Sequence, residues 1–184
     1  MNNPCTDKLS DKEYLIHMIP HHQVAIDMSN MLLKKTKNPS MIHLCRTIIR
    51  KQGYEIWEME MIKKNIDYNY LSNYESHKEI INTKLNTYYP IKSKSKNGDC
   101  NPLFFKPDDH SKHMKHMKIS NKSFLEHMIP HHQVAVDMSK RLLMHTNNPY
   151  LMDFCRRLII EQEGEIYYMN NLLENMNLYN SNFF

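Results

Sequence analysis

The stretch His17-Met18-Ile19-Pro20-His21-His22-Gln23-Val24-Ala25 returns letter for letter as His127-Met128-Ile129-Pro130-His131-His132-Gln133-Val134-Ala135, and Asp-Met-Ser follows one residue later in each copy. An offset of 110 residues relates His17 to His127, Gln52 to Gln162 and Met59 to Met169, without a gap from Tyr14 and Phe124 onward. The chain is therefore an internal duplication, and the positions its two halves share stand in for an alignment. About half of the paired positions are identical, among them histidines, methionines, a glutamine and a glutamate.

Around the motif, each repeat reads as a helix hairpin. Ser10 with Glu13 and Ser123 with Glu126 fit the S-x-x-E capping box, so the first helices are expected to begin near 11 and 121–124. They are expected to end around Thr36 and Thr146, where Asn38-Pro39 and Asn148-Pro149 supply an N-cap followed by proline at the first helical position. Second helices are predicted over Pro39 to Asn65 and Pro149 to Asn175, with Gly53 and Gly164 tolerated inside at about 1 kcal/mol each. Neither hairpin can bury its apolar face alone. The expected fold is all-α, a four-helix bundle made from two duplicated hairpins, taken as a single domain over 1–184. The first repeat spans 11–65, a long Tyr/Asn/Lys/Ser-rich linker spans 66–120, and the second repeat spans 121–178. Within the linker a short helix is predicted near 74–87, and Lys92 to Gly98 reads as flexible.

Composition narrows the function classes. The 24 Lys and Arg are interleaved with 20 Asp and Glu for a net charge of +4, which forms no nucleic-acid stripe. No apolar run approaches the roughly 20 residues of a membrane span, and the N-terminus lacks a basic region followed by an apolar stretch. The expectation is a soluble, intracellular protein that engages neither nucleic acid nor membrane. The richness in Asn, Lys, Ile and Tyr matches an AT-rich genome such as that of a parasite or a large DNA virus, in which case host cytoplasm or virion is the expected location. Of the 4 cysteines, Cys45 and Cys155 are equivalent positions and are expected as free thiols; a Cys5–Cys100 link stays open. Only 3 glycines and as many as 15 methionines fit a helical chain with an adaptable core.

On the first helix, His17, His21, Val24 and Met28 share a narrow arc, with Met18, His22 and Ser29 on the adjoining one. Gln23 and Asp27 are left toward the outside. Pro20 and Pro130 remove an amide donor beside the paired histidines and free the carbonyls of Ile16 and Glu126, so a kink is expected, either for packing or to aim His17, His21 and His22. On the second helix, Gln52, Met59 and Glu55 lie on or at the edge of the buried arc. Buried polar groups need partners, and the expected result is a central His/Glu/Met cluster in which His17 and His21 face the level of Gln52, Glu55 and Met59, mirrored by His127, His131, Gln162, Glu165 and Met169.

Two readings compete for that cluster. In one it is a structural hydrogen-bond network with methionine as core filler. In the other it holds a metal, because histidines four apart present two imidazoles from one helical face. Imidazole with thioether favours copper, above all Cu(I), and the lack of a Cys-x-x-Cys motif disfavours structural zinc. The candidate ligands are His17, Met18, His21, His22, Met28, Glu55 and Met59 with His127, Met128, His131, His132, Met138, Glu165 and Met169. His110, His113, Met114, His116 and Met117 in the linker form a further candidate set, whose plainer reading is a solvated basic loop.

The pattern His-Met-Ile-Pro-His-His-Gln-x-Ala-x-Asp-Met, a short Asn-Pro turn and Gln-x-x-Glu-Ile-x-x-Met resembles the CopM-like domain-of-unknown-function family over both repeats. The resemblance implies a ferritin-like bundle and copper binding associated with copper tolerance, carried at the matching positions of both repeats. Three functions are weighed: non-enzymatic copper sequestration or buffering; a metal-free structural or interaction protein; and a di-iron or di-manganese oxidase. The oxidase calls for Glu-x-x-His motifs, and Gln52-x-x-Glu55 and Gln162-x-x-Glu165 stand in their place. No nucleophile–base pair, phosphate loop or dinucleotide fingerprint occurs, so no catalytic residues are expected.

Overall fold

Each repeat turns on an Asn-Pro corner built the same way twice. Asn38 Oδ1 accepts from the amides of Ser40 and Met41 at 3.0 and 3.2 Å, and its own amide donates to Thr36 Oγ1 at 3.2 Å. Asn148 repeats this with Tyr150, Leu151 and Thr146. These bonds satisfy amides that the first turn of the following helix leaves orphaned. They also explain why the first helices stop a little before Thr36 and Thr146: the threonine hydroxyl is engaged in the corner.

In the computed structural model, which describes residues 8–66 and 118–181, the helices are α1 (Asp11–Leu33), α2 (Pro39–Lys64), α3 (Asn121–Leu142) and α4 (Pro149–Ser181). The described residues form a four-helix bundle without strands. The expected helix at 74–87, the Lys92–Gly98 stretch, Cys5, Cys100 and the His110–Met117 set lie outside the described residues. Among the described residues no helix is long and apolar enough to cross a membrane.

The start of α1 is the expected capping box, with Ser10 and Glu13 exchanging bonds. The start of α3 differs from expectation. Ser120 is its cap, with Ser123 taking the role that Glu13 has in α1; the two serines exchange amide–hydroxyl bonds of 2.9 and 3.1 Å. The reason lies one residue earlier. Leu9 and Ile119, 110 apart, precede the caps and are buried in the same core clusters as Tyr14 and Phe124, which staples the chain entry at both starts. α4 also runs beyond Asn175, since residues 176–181 contain neither glycine nor proline to end it. Both α1 and α3 continue as helix through their prolines. Ile16 and Glu126, whose carbonyls lose an amide partner to the prolines, are exposed.

α1 and α3 pack against one another antiparallel. Tyr14 near the start of α1 meets Ser139 near the end of α3, with 2.7 Å between hydroxyls, and His145 donates through Nε2 to the Leu9 carbonyl. α2 and α4 are joined by Lys51 to Glu161 at 3.1 Å and by Arg157 to Glu58. Residues related by the 110 offset meet each other at His21/His131 and at Lys51/Glu161. Such self-contacts place both pairs beside a pseudo-two-fold axis perpendicular to the helices.

The apolar core divides about that axis. One cluster holds Tyr14, Leu15, Met18, Met59, Met138, Phe154 and Leu158 among others. The other holds their counterparts Phe124, Leu125, Met128, Met169, Met28, Leu44 and Ile48. The halves are not identical. Tyr14 has its hydroxyl on Ser139, whereas Phe124 has none to offer the buried Ser29. Replacing Phe124 by tyrosine is expected to raise unfolding free energy by about 1 kcal/mol, read from the urea midpoint. A destabilised variant would show that Phe124 does not occupy the site Tyr14 does.

Candidate metal centre

Between the two apolar clusters lies a layer of polar side chains contributed by all four helices. Its centre is a stack of His21 on His131, ring centroids 3.6 Å apart and planes 20° from parallel. His22 and His132 flank it, each 6.2 Å from the stacked neighbour on its own helix, and His127 lies 6.2 Å from His131. Gln52 and Gln162 are also buried.

Each hairpin closes this layer with one charge-assisted bond. His22 Nε2 lies 2.8 Å from Glu55 Oε2, and His132 Nε2 lies 2.9 Å from Glu165 Oε2. The expected facing of Glu55 by His17 and His21 is thereby corrected: His22 takes the carboxylate, and His21 turns toward the other hairpin. A second anchor reaches Glu165, because the Lys51 ammonium sits 3.4 Å from its Oε1. Burial pushes the Glu165 carboxyl up, but the hydrogen bond from His132 and the Lys51 ammonium outweigh it, so the carboxyl sits below its ordinary range.

Burial holds His21 and His131 well below the usual histidine range, and positive charge on the neighbouring histidines would push them further in the same direction. Burial lowers His17 as well, partly opposed by Glu13. The stack is therefore a pair of neutral imidazoles at neutral pH. Both ring nitrogens of His131 and Nδ1 of His22 and of His132 are sealed from solvent without a hydrogen-bond partner in the structure. Gln52 Oε1 and both amide atoms of Gln162 share that condition. Buried polar atoms left without a partner are uncommon and ask for an explanation.

The buried methionines are divided between the two apolar clusters. Met18, Met59 and Met138 belong to one apolar cluster, and Met28, Met128 and Met169 to the other, all of them at most 1% exposed. Met41, whose counterpart is Leu151, is a further fully buried methionine of the second cluster. Among the described residues, no three His, Cys, Asp or Glu side chains are grouped to hold a metal ion. The parallel His21/His131 rings account for part of this, since stacked planes direct their nitrogens sideways rather than toward one point. Cys45 and Cys155 are free and buried, and burial pushes both thiols up to about 12, which makes them poor thiolate donors.

Sequence reasoning missed the Tyr14–Ser139 link and the Lys51–Glu161 pair. The 110 offset carried no signal for either, because each link uses a position at which the two repeats differ: Tyr14 stands against Phe124, and Lys51 against Glu161. The unpartnered Gln52 Oε1 and the Gln162 amide had a signal, identity between repeats.

The profile of the family described as "Domain of unknown function (DUF305)" matches residues 11–173, nearly the whole described bundle. The chain belongs to the DUF305 family. Uncharacterized protein L153 of Acanthamoeba polyphaga mimivirus is 38% identical over 65 residues, 35% of this chain, and the chain spans only 43% of that relative. Among solved structures, this DUF305 chain is similar to CopM in its silver-bound form, with 27% identity and a TM-score of 0.62 over 92% of this chain and 98% of the other. It is similar also to CopM in the Cu(I)-bound form, with 27% identity and a TM-score of 0.60 over 92% of this chain and 99% of the other. The expected resemblance and all-α bundle are borne out.

Proposed function

We propose that this DUF305 chain is a non-enzymatic copper-binding protein that sequesters or buffers Cu(I) through imidazole and thioether donors. The observation that carries this reading is the polar layer itself: a neutral His21/His131 stack and unpartnered ring nitrogens on His22, His131 and His132, between one apolar cluster with three buried methionines and another with four. Neutral imidazole and thioether are soft donors that favour Cu(I) over hard divalent ions, and both are ready without losing a proton. CopM, solved with Cu(I), Cu(II) and silver, supports copper as the ion, and the donor set favours its monovalent state. The proposed partner is the ion alone, with no role for nucleic acid or membrane.

A metal-free reading, in which the layer is a structural network of a protein that engages other macromolecules, has two observations in its favour: Glu55 and Glu165 already engage Nε2 of His22 and of His132, and no three-residue His/Cys/Asp/Glu group forms among the described residues. Titrating Cu(I) into tag-free protein under anaerobic, reducing conditions, with Cu(II), Zn(II) and Fe(II) as competitors, separates the two. Tight and selective Cu(I) binding is expected. Binding no stronger than to an unrelated helical protein would leave the layer as structure alone.

A further inference from the structure

A carboxylate has only lone pairs to offer, so in the His22–Glu55 and His132–Glu165 contacts the hydrogen must be carried by Nε2. The other ring nitrogen is then decided. An Nδ1–H in either ring would be a buried donor with nothing to receive it, since both Nδ1 atoms are sealed and without a hydrogen-bond partner in the structure. The arrangement that leaves no stranded N–H is the neutral ring with hydrogen on Nε2 and a bare lone pair on Nδ1. It occurs twice, in rings that are wholly buried.

We propose that Nδ1 of His22 and Nδ1 of His132 are metal-donor atoms, one in each half of the bundle, and that Glu55 and Glu165 are positioning residues that hold these rings in the Nε2–H tautomer rather than ligands. This rests on the soft-metal reading above and assigns its roles. A histidine ligand commonly gives its second N–H to a carboxylate, which fixes the ring and raises its basicity, and here that carboxylate is already in place. The carboxylates are spoken for: Glu55 Oε2 by His22, Glu165 Oε2 by His132, and Glu165 Oε1 by the Lys51 ammonium. Their engagement also accounts for the lack of a hard-donor cluster among the described residues.

Nitrogen-15 NMR of the full-length, uniformly labelled chain at neutral pH reads the tautomers directly, with His22→Gln and His132→Gln used to assign the signals. Both rings are expected to show a protonated Nε2 and an unprotonated Nδ1. Adding silver(I) in chloride-free buffer is expected to move both Nδ1 signals. Glu55→Leu and Glu165→Leu remove the acceptor facing Nε2, and are expected to release the ring hydrogen to either nitrogen and to weaken silver binding by about tenfold or more. Glu55→Asp and Glu165→Asp, which keep an acceptor-only group, are expected to retain the native tautomer. An Nδ1–H tautomer in the native chain overturns the proposal, as does silver binding that leaves both rings unmoved; in either case copper binding by other donors survives. Leucine variants that bind silver as the native chain does overturn the positioning role. Failure of the native chain to bind silver overturns the functional reading along with it.

Discussion

Replacing Met18, Met59 and Met138 together by leucine is expected to halve the amount of Cu(I) bound tightly, and the mirrored set Met28, Met128 and Met169 to remove the other half. The argument turns on what leucine keeps and what it loses. Leucine nearly conserves the volume of methionine, and such swaps in a packed core usually cost less than about 1.5 kcal/mol each. It has no sulfur to donate. All six methionines are almost fully buried, and each triplet sits in its own apolar cluster on one side of the histidine layer. A triple variant should therefore stay helical and cooperative on unfolding while losing one set of thioethers. With all six replaced, Cu(I) affinity is expected to fall on the order of a hundredfold, corresponding to about 2.7 kcal/mol. Competition against a coloured Cu(I) chelator gives both stoichiometry and affinity. Unchanged stoichiometry in a folded triple variant would reduce these methionines to core filler.

The second large effect is on acid stability. His21 and His131 are neutral in the fold and held below the ordinary histidine value of 6.5. In the unfolded chain they titrate near that ordinary value. Between the two, the unfolded chain binds protons that the folded one does not, so unfolding becomes easier as pH falls. Stability is fully present above about pH 6.5 and is lost progressively below it, down through the depressed folded values. Each histidine contributes a slope of up to about 1.4 kcal/mol per pH unit in that window. His17 adds in the same direction. Protonating both stacked rings would also set two positive charges face to face with little water between them. Urea midpoints at pH 7.5, 6.5, 5.5 and 4.5 are expected to decline steeply below 6.5. Placing phenylalanine at both 21 and 131 keeps a stacked ring pair and removes its titration, so the decline is expected to flatten. An equally steep decline in that double variant would assign the acid sensitivity elsewhere.

The hairpins were readable because they depend on local chemistry that is written twice. The Asn-Pro corners, the Ser10 cap and the buried arcs of α1 and α2 all follow from residues a few positions apart. The cap of α3 was readable in principle, since Ser120 stands 110 after Ser10; Ser123 with Glu126 offered a competing local signal, and burial of Ile119 decided between them. The layer of polar side chains was legible in its members but not in its pairing. His21 and His22 both lie on the broad buried side of α1, and helical periodicity does not say which part of that side meets α2 and which meets α3. That choice is made by the packing of one hairpin on the other. The same holds for Lys51, whose partners on α4 lie more than a hundred residues away in sequence.

Lys51 and Glu161 occupy one and the same place in the two repeats, and they meet across the axis that relates them. A lone hairpin pairing with its identical twin would put lysine against lysine there, or glutamate against glutamate. Joining two copies in one polypeptide lifts that constraint, because each half can then change without its mirror changing too. The opposite charges at this spot make each repeat a better mate for the other than for itself. A separately produced first repeat mixed with a separately produced second repeat should accordingly prefer the mixed pair, as a key prefers its lock to another key.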